Sequence, residues 1–411
     1  MNTNAILRAA VLGSAALCLS LFTVASVHGQ DVGGDVGGGA GIFRAKNPET
    51  KKSASKPVAG AKPPANRPAA TTRATVERVE DLLDKGNEAR DGRKFADAET
   101  AYKEVLKLKP RDARAAYGLG NVYSDQQRWD DAEAAYRNSV AWAPTDADAH
   151  VALSVVLVQP SASGDNAKRL ADAEMFARRS VQIDPKNAVG WDRLGVALQA
   201  RGLLNSETEH SYRRAIEIDP QFAAAYAHLA RMLNRSGKPS DAAPLYEKAT
   251  ELAKDPATLN LIADSLQGEQ LWPQSEPVLK RALELDSNNL TSLLLMGRYL
   301  IVYRRFQEAE PYLKSATELA SRAFLPFNLL GRAYLGMDRF SDAEATYERA
   351  STLAGAGEKK QLAGIYGFEG VGDGYLKSNQ KDKAVRAYQR ALELDPNNNG
   401  AVQKLAKARA N

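Results

Sequence analysis

From residue 79 onward the chain repeats one unit, seen most clearly over residues 113–144 as ARAAYGLGNVYSDQQRWDDAEAAYRNSVAWAP, and no other feature limits its fold so strongly. A unit of about 34 residues is too small to bury an apolar face alone, so copies of it must stack on one another. In the first half Ala116, Leu119, Gly120 and Tyr123 recur at i, i+3, i+4 and i+7, which places them on one face of a helix. Ala132, Tyr136 and Val140 mark a second helix in the same way. Between them Arg128-Trp129-Asp130 reads as the turn, with Asp130 as N-cap and Trp129 stapling the start of the second helix, and Pro144 closes the unit.

Nine units follow in register, at 79–112, 113–146, 147–187, 188–222, 223–255, 256–289, 290–323, 324–364 and 365–398. One position in the first helix is always small, as at Gly86, Gly120, Ser154, Gly195, Ala230, Ala263, Gly297, Gly331 and Gly372. A second small position, on the facing helix, holds Ala98, Ala132, Ala173, Thr208, Ala242, Ser275, Ala309, Ala343 and Ala384. Small residues on both helices let their backbones approach, and Tyr102, Tyr136, Tyr212, Tyr246, Tyr347 and Tyr388 fill the space beside them. Pro110, Pro144, Pro185, Pro220 and Pro396 stop the second helix, while Pro244, Pro277 and Pro311 share a place expected near a helix start.

This pattern resembles the tetratricopeptide repeat, whose signature is met most fully by the 113–146 unit and by Trp191-Asp192-Arg193-Leu194-Gly195. The resemblance implies an all-α, right-handed α-solenoid of about nine helical hairpins at 79–398, closed by a capping helix at 399–411. In that helix, Gly400 to Ala410, we expect Val402, Leu405 and Ala406 to pack on the last unit and Lys404, Lys407 and Arg409 to face outward. The third unit carries VQPSASGDNAK between its helices and the eighth ends in GAGEKKQ, both read as loop insertions.

Ahead of the repeats, residues 1–29 combine Arg8 with an apolar run and Val27-His28-Gly29, the pattern of a secretory signal peptide. Residues 9–27 are also long enough for an uncleaved membrane anchor. Either way the repeats are expected in the periplasm, cell envelope or secreted space. Residues 30–78, rich in Gly and then in Lys, Pro and Ala, read as an unpacked, disordered linker. The net charge of +5 belongs to this linker: residues 44–75 carry +7, leaving the repeats near −1. A nucleic-acid partner is therefore not expected, and membrane contact is expected only through the N-terminal segment or the basic linker.

The repeats hold no motif for catalysis, metal or cofactor. Cys18 is the only cysteine, so the folded part has no thiol chemistry, and His150, His210 and His228 lack zinc-ligand spacing, with His150 at a packing position. The tetratricopeptide resemblance implies a non-enzymatic scaffold that binds a protein or peptide in the concave groove made by the first helices of the units. A carrier or accessory subunit binding glycan is the alternative. Two of the family's specialised grooves are not expected. Of the carboxylate clamp only Asn87 is present, among Leu83, Gly118, Asp148 and Ala152, and the asparagine ladder is missing. The candidate partner site is instead the groove of units four to eight, where Arg193, His228, Arg231, Asn260, Asp264, Arg298, Asn328 and Arg332 collect and where a row of arginines suits an acidic peptide. The competing reading pairs Asp264 internally with Arg231 or Arg298.

Overall fold

The computed structural model describes residues 45–50, 70–161 and 165–410, so residues 1–29, expected to be a signal peptide or anchor, and much of the expected linker lie outside the described residues. Among the described residues every regular element is a helix. The first unit is the pair α1 (Ala70–Asp91) and α2 (Phe95–Leu108), followed by α3 (Ala113–Asp125) with α4 (Trp129–Trp142), and α5 (Ala147–Leu157) with α6 (Asn166–Ile183). Next come α7 (Ala188–Ala200) with α8 (Ser206–Ile218), α9 (Ala223–Arg235) with α10 (Pro239–Leu252), and α11 (Pro256–Gly268) with α12 (Trp272–Leu285). The array continues through α13 (Leu290–Val302) with α14 (Phe306–Leu319), and α15 (Phe324–Gly336) with α16 (Phe340–Leu353). A short α17 (Ala356–Ala363) precedes the last pair, α18 (Phe368–Lys377) with α19 (Lys381–Leu394), and α20 (Asn399–Ala410) closes it. Substantial contacts join helices of one hairpin or of consecutive hairpins, as a solenoid requires.

The small positions work as a socket for the tyrosines. A Cβ built on Gly86 would stand 2.6 Å from the Tyr102 ring, and one on Gly120, Gly195 or Gly372 would stand 2.5 Å from Tyr136, Tyr212 or Tyr388. Each of these rings is almost fully buried. The glycine thus does more than let two backbones approach, because the ring lies flat on the helix where a side chain would otherwise be.

The turns differ from expectation. Gln127 takes φ 57°, its N–H donates to the Ser124 carbonyl at 2.9 Å, and the Arg128 N–H donates to Tyr123 at 2.9 Å, the paired bonds of a Schellman ending. The turn is therefore over before Trp129, and Asp130 lies inside the first turn of α4 with Asp131, where both acidic groups favour the positive end of the helix. The same left-handed residue recurs at Arg93, Gly202, Gly237, Gln270, Arg304, Asp338 and Asn379. Only two of these are glycines, so the other turns accept a cost of roughly 1 kcal/mol each for their bonds. Side-chain caps occur between units, where Asp112, Asp146, Asn187, Asp255 and Asn289 accept from N–H groups of the helix that follows, and within units three and four, where Asp165 and Asn205 cap α6 and α8 in the same way.

Four further expectations are corrected. Pro244, Pro277 and Pro311 stand at the sixth residue of their helices rather than in the first turn, and each helix runs on past them. They and the residues four before them are exposed, so water can serve the carbonyls that lose a partner. The eighth unit's insertion is α17, a helix that buries Leu362 and Ala363, and not a loop. In α20 the packed face is Ala401, Leu405 and Ala408, while Val402 and Ala406 are exposed, and Lys404 turns inward to Glu369 at 2.7 Å and Asp373 at 2.6 Å. Finally, the linker is not unpacked throughout. α1 begins at Ala70, because Pro68 is the last helix breaker before it, and residues 45–50 lie against the repeats.

Candidate functional site

The first helices of units one and two, α1 and α3, hold residues 45–49 as a non-helical strand of chain on their groove face. Its carbonyls are met one after another by side chains. Arg90 Nη1 donates to Ala45 O at 2.6 Å, Asn121 Nδ2 to Lys46 O at 2.9 Å, Asn87 Nδ2 to Pro48 O at 3.0 Å and Arg114 Nη1 to Glu49 O at 3.2 Å. Since every residue has a carbonyl, such bonds read a non-helical backbone whatever its sequence. Two of its residues, Ala45 and Pro48, are buried, and Lys46 and Glu49 are exposed. Asn47 is read at both ends of its amide, accepting from Arg90 Nη1 at 3.0 Å and donating to Asp91 Oδ2 at 2.9 Å.

The reading side chains are themselves held from behind. Tyr102 Oη donates to Asn87 Oδ1 at 2.7 Å and Tyr136 Oη to Asn121 Oδ1 at 2.8 Å, which turns each amide so that its NH2 faces the groove. Arg90, 2 % exposed, forms a fork to Asp125 through Nε at 2.7 Å and Nη2 at 3.1 Å. Burial alone would lower its pKa, but the hydrogen bond and charge of Asp125 win and raise it above the ordinary arginine value. Arg114 is likewise raised against burial by Glu80 and Asp112. At the unit-three side of the groove, burial and the neighbouring Asp146 hold the Asp148 carboxyl above its usual pKa, and the Lys46 ammonium offsets part of that rise. The site is a preorganised row of fixed side-chain donors.

Family models of the tetratricopeptide repeat match residues 83–148, 119–188 and 196–257, and again 327–356 and 366–398. The chain belongs to the tetratricopeptide repeat family. Solved structures similar to part of it include MamA 41-end from Desulfovibrio magneticus RS-1, with 18% identity over 43% of this chain and 95% of that one at a TM-score of 0.37. TTC0263, a thermophilic protein of the same family in Thermus thermophilus, matches with 21% identity over 46% of this chain and 99% of that one, at a TM-score of 0.40. Pseudomonas aeruginosa pilF matches with 14% identity over 53% and 96%, also at 0.40. No curated protein matches this chain.

The tetratricopeptide groove of units four to eight does not present its polar residues as one open row. Arg193 is buried and its Nη2 lies 2.9 Å from Asp192 Oδ2, while His228 Nδ1 lies 2.8 Å from Asp192 Oδ1, so these three belong to one internal cluster. Arg231 is buried with its Nε 3.7 Å from Glu269, and burial together with Arg235 lowers its pKa to about 10. Asn260 donates to Asn289 at 2.9 Å and accepts from Ser292 Oγ at 2.7 Å. Asp264 pairs with Arg298 at 2.8 Å, and Arg298 also donates to Gln267 at 2.7 Å, which is the internal pairing set against the site in the sequence reading. Asn328 is buried on α15. Arg332 is half-buried, with its guanidinium 5.0 Å from the centroid of the Tyr366 ring, and its Nε has no hydrogen-bond partner among the described residues.

Apart from Asn87, none of the residues that hold the 45–49 segment stands out in the sequence reading. A signal exists: Asn87 and Asn121 occupy the same place in consecutive units, each 15 residues before a buried tyrosine. The family's asparagine ladder lies three residues earlier in the unit, so its absence says nothing about Asn121. Gln199 and Tyr212 at 2.9 Å and Asp373 and Tyr388 at 2.8 Å repeat the latch in units four and nine.

Proposed function

We propose that this tetratricopeptide repeat protein is an exported, non-enzymatic scaffold that holds a partner protein through an extended peptide laid along the groove of units one to three. The observation that carries the reading is the run of four side-chain donors, Arg90, Asn121, Asn87 and Arg114, each on a successive or nearby carbonyl of residues 45–49. Side-chain-to-backbone bonds of this kind suit a ligand recognised by its extended form, in the manner of other peptide grooves. Export rests on the signal-like composition of residues 1–29.

The groove is tested by panning a random peptide library against the full chain in which residues 45–49 are replaced by Gly and Ser, side by side with the same chain carrying Asn87→Ala and Asn121→Ala. Peptides enriched on the first and lost from the second support the reading. Equal enrichment on both removes this groove from consideration. Export is tested separately by N-terminal sequencing from the native host, which is expected to start at or near Gln30. An intact Met1 in the cytosol refutes it.

A further inference from the structure

From the way residues 45–49 sit, we infer that the groove of units one to three selects the pattern small-x-Asn-Pro, and that the chain's own Ala45-Lys46-Asn47-Pro48 is a tethered competitor for that site. The inference rests on the peptide-scaffold reading above and adds a ligand class and a means of control.

The selectivity follows from what each side chain meets. Ala45 is 5% exposed and joins the apolar cluster of Val79, Leu82, Leu83 and Tyr117, while its carbonyl is fixed by Arg90; a larger residue there has to displace well-packed core. Lys46 is exposed and carries no steric requirement. Asn47 is the discriminating position. Its Oδ1 accepts from Arg90 and its Nδ2 donates to Asp91, so an aspartate would set two carboxylates against each other, and an apolar residue would forfeit both of these bonds. Pro48 is buried and brings no N–H that would need a partner in the groove. It also biases Asn47 to the extended backbone that the row of donors reads.

Control follows from covalent connection. Residues 50–69 alone separate the segment from α1, the first helix of its own groove. A tether this short sets a local concentration on the order of millimolar. A free peptide of the same pattern then meets a site that is open only for the fraction of time the segment is out, and its apparent affinity falls by that fraction. The covered state also explains why Arg90 is 2 % exposed although it lies on a groove face.

The test uses a fluorescent peptide carrying residues 44–51 and its Asn47→Asp counterpart, titrated by anisotropy into the full chain, into the chain with 45–49 replaced by Gly and Ser, and into the full chain with Asn47→Asp. Circular dichroism checks that all three have the same helicity. The expected result is that the peptide binds both altered chains at least about tenfold more tightly than the unaltered one, and that the Asn47→Asp peptide loses at least about tenfold on each. Equal binding to altered and unaltered chains overturns the competition. Equal binding of the two peptides overturns the selectivity. If library peptides bind the groove and the 44–51 peptide does not, the scaffold reading survives and this inference fails; if neither binds, both fail.

Discussion

A pair of tyrosine-to-phenylalanine substitutions separates the latch behind the groove from ordinary core packing. Tyr136 is 1% exposed and its hydroxyl donates to Asn121 Oδ1, an acceptor on a side chain that is itself fully buried. Tyr136→Phe keeps the ring on Gly120 and removes that bond, leaving the amide oxygen without a donor, so the loss is expected to be about 2 kcal/mol. Tyr246 occupies the equivalent place in unit five and is 4% exposed, yet its hydroxyl has no hydrogen-bond partner among the described residues. Tyr246→Phe therefore removes a buried polar atom that contributes nothing, and is expected to leave stability unchanged or to raise it by up to about 1 kcal/mol. Urea unfolding followed by circular dichroism gives both numbers, provided that the slopes match wild type. Because each unit touches only its neighbours, amide exchange should place the Tyr136→Phe loss in α3 and α4. Two variants destabilised by the same amount would refute the latch and reduce both hydroxyls to bystanders.

Three further outcomes follow from the same structure. Glu276 accepts from Tyr299 Oη at 2.6 Å and is bridged by Lys280 and Arg305, bonds that together lower its pKa to about 2. A depressed carboxyl contributes fully above its unfolded pKa of about 4.3 and loses that contribution as pH falls toward 2; the difference in urea midpoint between wild type and Glu276→Gln should be largest at pH 6 and shrink steadily below pH 4. Gly367→Ala would drive a Cβ into the Leu362 carbonyl at the α17–α18 junction, where backbone and not a movable side chain is in the way; a loss of about 3 kcal/mol, localised by amide exchange to the last unit, is expected. Arg332→Ala removes only a stack on Tyr366, so its urea stability should stay within about 1 kcal/mol of wild type.

What the sequence made legible was whatever repeats. The small positions and their tyrosines recur in register, and so the hairpins, their order and the Gly120–Tyr136 type of contact follow from periodicity. The turns were legible in place but not in chemistry, because the left-handed residue is glycine only at Gly202 and Gly237, and a Schellman ending built on Gln127 or Arg304 has no compositional mark. The short α17 was hidden for a similar reason: its only apolar side chains are Leu362 and two alanines, too few to show a face.

The groove was hard to read because its state depends on which polar groups find each other across units. Arg193, His228, Arg231, Asn260, Asp264 and Arg298 form a row when each is viewed by itself. Their neighbours Asp192, Glu269, Asn289 and Gln267 come from other places in the unit, and at 2.7 to 3.7 Å they turn most of the row into internal structure. A ladder of like residues is thus weak evidence for an open site unless the positions beside it are counted as well. The front of the groove shows the converse. Arg90 and Arg114 are also paired with carboxylates, through Asp125 and Glu80, yet each keeps an N–H aimed at the carbonyl of a foreign segment. Pairing there fixes the guanidinium and leaves part of its fork available, which an arginine with five donors allows and a lysine would not. The physical criterion for a reading residue in this solenoid is therefore a side chain held from behind with a donor to spare, and Asn87, Asn121, Arg90 and Arg114 meet it together.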